Sequence, residues 1–352
     1  MESLVRLKVT EILDETPDAR TLRLLPESPT TLPYKAGQFL TFVFEVKGEK
    51  IRRSYSLSTA PGLDAHLAIT FKKVPFGVVS HLLFEDVQVG DVLQALPPTG
   101  RFTLPAGSQP RDLVMIAAGS GITPLYSLLR TALAKEPQSR ITLIYSNHNE
   151  QSTIFYESLQ ALARQHPDRL KIVFIFSDPA DKTHGHHGHL NVFLLKKLLR
   201  TNVHFAKENA QFFLCGPFTF MRMCHMIIRV MGFREDHIHR ENFVVVTEKK
   251  GIEKTLIQDK SDKTVAVTYR GKTDRVEVPY GKPILRAALD QGLTLPYSCL
   301  GGICSTCAAV CTSGRVEMSV NEVLTEKDLK EGWVLTCVGY PATPDVAVAF
   351  PE

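Results

Sequence analysis

The sequence predicts a multidomain protein in three parts: an antiparallel β-barrel, an α/β domain built on a parallel sheet, and a small α+β module. Three observations carry this. Short alternating strands broken by Gly/Pro turns fill residues 1–105. Apolar strands alternate with helices over residues 110–243. A hairpin, one helix and a cysteine-bearing loop make up the remainder. A chain of 352 residues has room for two or three domains. The composition shifts place them at 1–107, 108–246 and 262–352, with a charged tether at 247–261.

In the first part, Val5–Thr10 and Thr21–Leu25 alternate, and Phe39–Val46 is a strongly apolar strand ending at Lys47-Gly48-Glu49. Leu67–Lys73 is a further strand. Two stretches here carry chemistry. Arg53-Ser-Tyr55-Ser56 offers a guanidinium suited to a pyrophosphate and a ring able to stack on an aromatic system. Thr70-Phe-Lys72 leads into Gly77-Val-Val-Ser80 at the start of a short helix, where backbone N–H groups and a hydroxyl can meet phosphate oxygens. Taken singly, these are also a common strand fragment and a common N-cap.

In the second part, the buried strand Asp112–Ala118 runs into Gly119-Ser-Gly121-Ile-Thr123-Pro and a helix over Leu125–Leu133. Arg140–Ser146 and Lys171–Ser177 are the second and third strands. A helix spans Asn191–Arg200. Gln211–Pro217 forms the fourth strand, ending in Cys215-Gly216-Pro217, and a helix follows over Phe218–Met231. Strand, glycine loop and helix in series make a dinucleotide phosphate site. Tyr145-Ser-Asn147-His148 ends the second strand, where NAD enzymes place an acid and NADP enzymes a cation. A histidine at this place leaves NADH and NADPH both open. The run His184–His189 reads as a solvated polar loop rather than a metal site.

In the third part, Lys263–Tyr269 and Asp274–Val278 alternate as a hairpin, and Pro283–Gln291 is a helix closed by Gly292. The strand Ala308–Thr312, a short helix near Thr325–Lys330 and strands around Val334 and Val346 complete it. Cys299, Cys304 and Cys307 read C-x4-C-x2-C, and Cys337 follows alone. Three thiolates in one loop and one from a distant strand are the plant-type [2Fe–2S] pattern. A structural zinc site would bring a second short cysteine pair instead. Gly301 and Gly302 allow close backbone approach and positive φ, and the loop directs N–H groups at the sulfurs. Cys311 reads as a spare core thiol.

The totals exclude other classes. With 44% hydrophobic and 22% charged residues the chain is an ordinary globular one, and a net charge of +4 is too small to argue for nucleic acid. Residues 255–352 hold 10 Lys+Arg against 12 Asp+Glu, a net −2 that leaves +6 on the rest, signs that would favour docking between them. No apolar run reaches bilayer length and the first residues lack a signal-peptide pattern. Seven cysteines, four of them claimed by a cluster, suit a reducing compartment, so the expectation is a cytoplasmic protein that avoids membranes.

In their order along the chain, these motifs resemble the ferredoxin–NADP reductase superfamily, with a plant-type ferredoxin module of β-grasp fold at the C-terminus. The resemblance covers nearly the whole chain. It implies that Arg53 holds the pyrophosphate of FAD, Tyr55 stacks on the isoalloxazine, Ser56 sits near N5, and Thr70, Lys72, Gly77 and Ser80 line the rest. FMN stays open as the flavin. It further implies that Gly119, Gly121 and Thr123 take NAD(P)H, with Thr123 where flavin and nicotinamide meet, and that Cys215, Gly216 and Pro217 border the nicotinamide. Tyr55, Ser56, Thr123 and Cys215 are then the catalytic set, and Cys299, Cys304, Cys307 and Cys337 the iron ligands. A nicotinamide gives electrons in pairs and a cluster near −400 mV takes them singly, with a flavin between to divide them. The implied activity is an NAD(P)H-dependent oxidoreductase feeding an oxygenase that acts on an aromatic CoA thioester.

Overall fold

In the computed structural model, residues 4–351 are described except 29–31, 108, 181–185 and 244–260. The tether expected at 247–261 therefore lies almost wholly outside the described residues. The chain divides into two compact units, Leu4–Glu241 and one running from Asn242 to the C-terminal end.

The larger unit opens with six strands: β1 (Val5–Thr16), β2 (Ala19–Pro26), β3 (Phe39–Val46), β4 (Glu49–Ser56), β5 (Leu67–Lys72) and β6 (Val92–Thr99). A helix, α1 (Val78–Glu85), follows β5. The sheet runs β4-β3-β6-β1-β2-β5, and the bridge Leu57↔Ile69 joins its two edges into a barrel. Alternation explains the wall: Leu7, Val9, Leu22, Leu24, Leu40 and Phe42 point inward and are fully buried. Lys47 and Gly48, both at positive φ, form the two-residue turn that pairs Val46 with Glu49 and fixes the β3–β4 register. That register carries Arg53, Tyr55 and Ser56 to the end of β4.

The same unit continues with β7 (Asp112–Ala118), α2 (Ile122–Lys135), β8 (Arg140–Asn147), α3 (Tyr156–Gln165), β9 (Leu170–Phe176), β10 (His186–His187), α4 (Val192–Asn202), β11 (Ala210–Cys215), α5 (Phe218–Val230) and β12 (Ile238–Glu241). The sheet order β10-β9-β8-β7-β11-β12 is parallel throughout. The chain moves outward from β7 on one side, then returns to place β11 on the other. The carboxyl ends of β7 and β11 therefore lie side by side at a topological switch point, where open α/β sheets bind ligands. Asn191 caps α4 through its side-chain oxygen, which accepts from the N–H groups of Phe193 and Leu194. His186 and His187 pair with Ile175 and Phe176 at the sheet edge.

The second unit holds β13 (Lys263–Tyr269), β14 (Lys272–Val278), α6 (Ile284–Asp290), β15 (Ala308–Ser313), β16 (Val316–Met318), α7 (Glu326–Lys330), β17 (Trp333–Leu335), β18 (Gly339–Pro341) and β19 (Ala347–Ala349). Its main sheet, β14-β13-β19-β15-β17, is mixed, because β13 and β19 run parallel while the other pairs are antiparallel. A second positive-φ pair, Arg270-Gly271, makes the β13–β14 turn. Val265, Val267, Val276, Val278, Ile284 and Leu285 bury a core that belongs to this unit alone. Cys311, expected as a spare core thiol, packs at the margin of this core. It is only partly buried, and its Sγ donates to the Ser313 carbonyl at 3.2 Å.

Candidate active site and cluster loop

On the barrel, Arg53 pairs with Phe42 across β3–β4, and its Nη1 donates to the Arg52 carbonyl at 2.7 Å. Tyr55 packs edge-on against Phe71, with ring centroids 5.8 Å apart, and burial pushes its phenol well above the ordinary range. Ser56 is buried, and its Oγ finds no hydrogen-bond partner among the described residues. Such a hydroxyl is costly to leave alone, and a flavin edge bearing ring nitrogens and carbonyls would satisfy it.

The remaining flavin candidates divide. The Thr70 hydroxyl is tied into a buried cluster with Thr21 at 2.7 Å and Ser58 at 3.0 Å, so it shapes the wall. Lys72 pairs with Asp18 at 3.0 Å. Ser80 uses its hydroxyl inside the turn, donating to the Gly77 carbonyl at 2.9 Å and accepting from the Val74 N–H at 3.2 Å. Gly77 has no room for a side chain, since a Cβ would lie 2.5 Å from both Ser80 Oγ and Val74 Cγ2. What this turn offers a phosphate is thus backbone N–H groups at the start of α1.

At the switch point, Gly119–Gly121 forms a 3-10 turn, with Gly119 at φ +54°. The Tyr145 hydroxyl donates to the Gly119 carbonyl at 3.0 Å and holds the turn from β8. Thr123 donates its hydroxyl to the Ser120 carbonyl at 3.1 Å. A Cβ on Gly121 would lie 2.2 Å from the Cys215 carbonyl oxygen, so the glycine loop rests directly on the Cys215–Gly216 peptide. Pro217 caps α5. The structure thereby brings the Gly119–Thr123 and Cys215–Pro217 motifs into one crevice. The end of β5 also packs against the Gly119–Gly121 turn. His148 shares a hydrogen bond with Ser177 at 3.1 Å and faces Asp178 at 3.7 Å.

One residue of this crevice was passed over in the sequence. Glu241 on β12 sits in register with Cys215 on β11, buried, with Oε2 unpartnered among the described residues. Burial raises its carboxyl from 4.5 to about 8, and burial with the neighbouring Glu241 raises the Cys215 thiol. The available signal was an acid at the end of an otherwise ordinary segment, Ile238-His-Arg-Glu241. A raised folded-state value means that stability present below about pH 4.5 is lost as pH rises through about 8. Glu241→Gln should remove that slope and leave the larger unit more stable at pH 8.5 by about 5 kcal/mol at most. Thermal unfolding of both proteins at pH 5 and pH 8.5 checks this. Parallel pH profiles would show that the carboxyl ionises freely in the fold.

In the second unit, the Cys299 N–H donates to Cys304 Sγ at 3.5 Å and the Gly301 N–H to Cys299 Sγ at 3.4 Å. Cys304 Sγ and the Thr306 hydroxyl lie 3.3 Å apart. The Thr336 hydroxyl donates to the Cys307 carbonyl at 2.8 Å, which pins the loop beside Cys337. Cys299 contacts both Cys304 and Cys337, and Cys337 also contacts Cys307. The thiols form a run of four with N–H groups aimed at sulfur, a donor set that suits two irons with two thiolates each. Positive φ falls at Leu300, Gly302 and Ser305, but not at Gly301 as expected. At Gly302 a Cβ would come within 3.0 Å of the Val320 carbonyl oxygen, so close approach is real there.

Comparison with known proteins follows this layout. Residues 6–104 match the model of an oxidoreductase FAD-binding domain, residues 115–226 an oxidoreductase NAD-binding domain, and residues 267–342 a 2Fe-2S iron-sulfur cluster binding domain. The chain is 35% identical to the ferredoxin reductase component of 3-ketosteroid-9-alpha-monooxygenase from Mycolicibacterium smegmatis, over 99% of this chain and 98% of that protein. It is 32% identical to one of the subunits of 1,2-phenylacetyl-CoA epoxidase from Escherichia coli, over 99% and 98%. Phthalate dioxygenase reductase shares the fold, with a TM-score of 0.60 at 22% identity over 99% of this chain and 98% of that one.

Proposed function

Because the chain belongs to the family of oxygenase reductase components in which FAD- and NAD-binding domains are joined to a [2Fe–2S] domain, we propose that it serves a phenylacetyl-CoA epoxidase-type oxygenase. The coarser activity is that of the family: electrons pass from NAD(P)H through FAD and a [2Fe–2S] cluster to an oxygenase partner. Similarity to a component of that epoxidase over nearly its full length carries the finer reading. The comparable similarity to a ketosteroid monooxygenase reductase favours a second one, a steroid oxygenase as acceptor.

The residues divide the work as follows. Arg53 and the backbone of the Gly77 turn hold the flavin pyrophosphate, Tyr55 stacks against the ring, and Ser56 donates to its edge. Gly119, Gly121 and Thr123 seat the dinucleotide, while Cys215, Gly216 and Pro217 form the wall against which the nicotinamide lies. Thr70, Lys72 and Ser80 shape the cradle through their own partners. Glu241 keeps a proton beside Cys215 near neutral pH. Cys299, Cys304, Cys307 and Cys337 hold the irons. When bound, FAD supplies the step from two-electron to one-electron chemistry. No helix among the described residues is long and apolar enough to cross a membrane. Seven cysteines without a disulfide support a cytoplasmic setting.

The test is reconstitution with each class of oxygenase under NAD(P)H, measuring turnover of phenylacetyl-CoA and of a 3-ketosteroid. The proposal expects coupled turnover of the thioester. Coupling to the steroid oxygenase alone would overturn it in favour of the second reading.

A further inference from the structure

Helix α2 starts at the glycine loop, and Thr123, Ser127 and Arg130 are spaced i, i+4 and i+7 along it, one stripe of its surface. The stripe points at the barrel. The Ser127 hydroxyl donates to the Thr59 carbonyl at 2.5 Å. Arg130 grips Asp64 with both ends of its fork, at 2.7 and 2.8 Å. Thr59 and Asp64 belong to the segment that leaves β4 directly after Tyr55 and Ser56. That segment is itself fixed. The Ala60 N–H donates to Asp64 Oδ2 at 2.8 Å, the Tyr34 hydroxyl to Thr59 Oγ1 at 2.8 Å, and the Ser58 N–H to the Ala68 carbonyl at 2.9 Å.

The Asp64–Arg130 pair is largely shielded, with side-chain exposures of 14% and 24%. Burial of the Asp64 carboxyl works to raise it, but the Arg130 fork together with the Ala60 N–H and the charge of His66 outweighs this and holds it below the ordinary carboxylate range. Bidentate arginine–carboxylate pairs fix angle as well as distance. The helix carrying Thr123 is thus bolted, within about two turns of that residue, to the segment that follows Ser56.

We propose that Asp64 and Arg130 are positioning residues for hydride transfer: they set the gap between the flavin face at Tyr55–Ser56 and the nicotinamide face at Thr123–Cys215. The inference rests on the placement of the two cofactors proposed above. Hydride transfer is steep in distance, and a misplacement of about 1 Å can cost on the order of 100-fold. A salt bridge that merely stabilised the fold would leave that gap, and the rate, unchanged.

The experiment is anaerobic stopped-flow reduction of the flavin in the intact holoprotein, with NAD(P)H and with its 4-deuterated form, for wild type, Arg130→Met and the reversed pair Asp64→Arg/Arg130→Asp. In Arg130→Met the reduction rate should fall about 10- to 100-fold, with a full deuterium effect on that rate. Flavin content and the NAD(P)H concentration dependence should stay near wild type. The reversed pair should recover much of the rate. Should Arg130→Met be insoluble, Arg130→Lys, which keeps the charge and loses the fork, should reduce at an intermediate rate. A wild-type rate in either single variant overturns the proposal. So does a slow variant whose rate loss follows flavin loss and is not recovered by reversal. If wild-type flavin is not reduced by NAD(P)H at all, the cofactor placement itself fails, a result distinct from fast variants.

Discussion

Cys337→Ser should abolish electron delivery to a protein acceptor while leaving reduction of the flavin by NAD(P)H intact. Cys337 is buried and contacts both Cys299 and Cys307, so it closes the run of four thiols. A serine hydroxyl is a harder and far less acidic ligand than a thiol, poorly matched to iron that prefers soft donors. Altering even a supporting group around a metal costs 10- to 100-fold, so removing a ligand should lower acceptor reduction by more than about 100-fold. The residues proposed above for hydride transfer all lie in Leu4–Glu241, a separate compact unit with its own cores. Ferricyanide, which can draw electrons from flavin directly, should still be reduced. The competing explanation is that losing Cys337 unfolds the second unit and perturbs the first. The second unit buries Val265, Val276, Ile284 and Leu285 without help from the first, and flavin retained by the variant excludes a disturbance there. Near wild-type oxygenase turnover by a protein shown to lack iron would overturn the relay.

Period and punctuation made much of this fold legible. The apolar strands Phe39–Val46 and Asp112–Ala118 stand where their runs place them, and Ala210–Cys215 begins one residue before its run and ends two residues short of it, because each is a continuous apolar run with most of its residues buried. Shorter and more polar elements escaped. Strand β6 contains Leu96-Pro-Pro-Thr99, and β16 and β18 are three residues each, so neither pattern nor length marks them. Helix α3 begins after Phe155, a residue at φ +61° with no side-chain cap, which gives the sequence no start signal. The site follows the same division. Motifs contiguous in sequence, such as Arg53–Ser56, Gly119–Thr123 and Cys299–Cys307, could be read directly. Glu241 could not, since what singles it out is register with Cys215 on a neighbouring strand. The Asp64–Arg130 pair was equally hidden, because the two residues lie 66 positions apart and only the packing of α2 on the barrel joins them. Ser80 shows a detail that sequence position cannot give. Its position suggested a phosphate ligand, yet local geometry had already engaged its hydroxyl within the turn.

Gly121→Ala should cost far more than Gly119→Ala, although only Gly119 has positive φ. Gly119 stands at φ +54°, and a Cβ added to it would find nothing within 4 Å, so alanine there meets open space and only the left-handed penalty, roughly 1–2 kcal/mol. Gly121 has an ordinary helical φ of −61°. Its Cβ, however, would lie 2.2 Å from the Cys215 carbonyl oxygen, 2.5 Å from its carbon and 2.9 Å from the Gly216 nitrogen. All three are backbone atoms at the end of β11, a strand held between β7 and β12. None can rotate away as a side-chain tip could, so the glycine loop and the Cys215–Gly216 peptide must separate by about 1 Å, and forcing a methyl into such a contact typically costs about 1–3 kcal/mol. The functional loss should be larger than that figure suggests, because the separation opens the crevice between the two walls proposed for the nicotinamide. A shift of about 1 Å there corresponds to on the order of 100-fold in hydride transfer. Flavin reduction measured with saturating NAD(P)H separates the two variants. At saturation Gly119→Ala should keep most of its rate, but it should need more NAD(P)H to reach it, because its methyl would enter the space proposed for the dinucleotide. Gly121→Ala should lose about two orders of magnitude while retaining its FAD, whose barrel motifs the change does not touch. If both alanine variants reduce their flavin equally fast, the glycine loop does not depend on its contact with Cys215, and the crevice is not where the nicotinamide reacts.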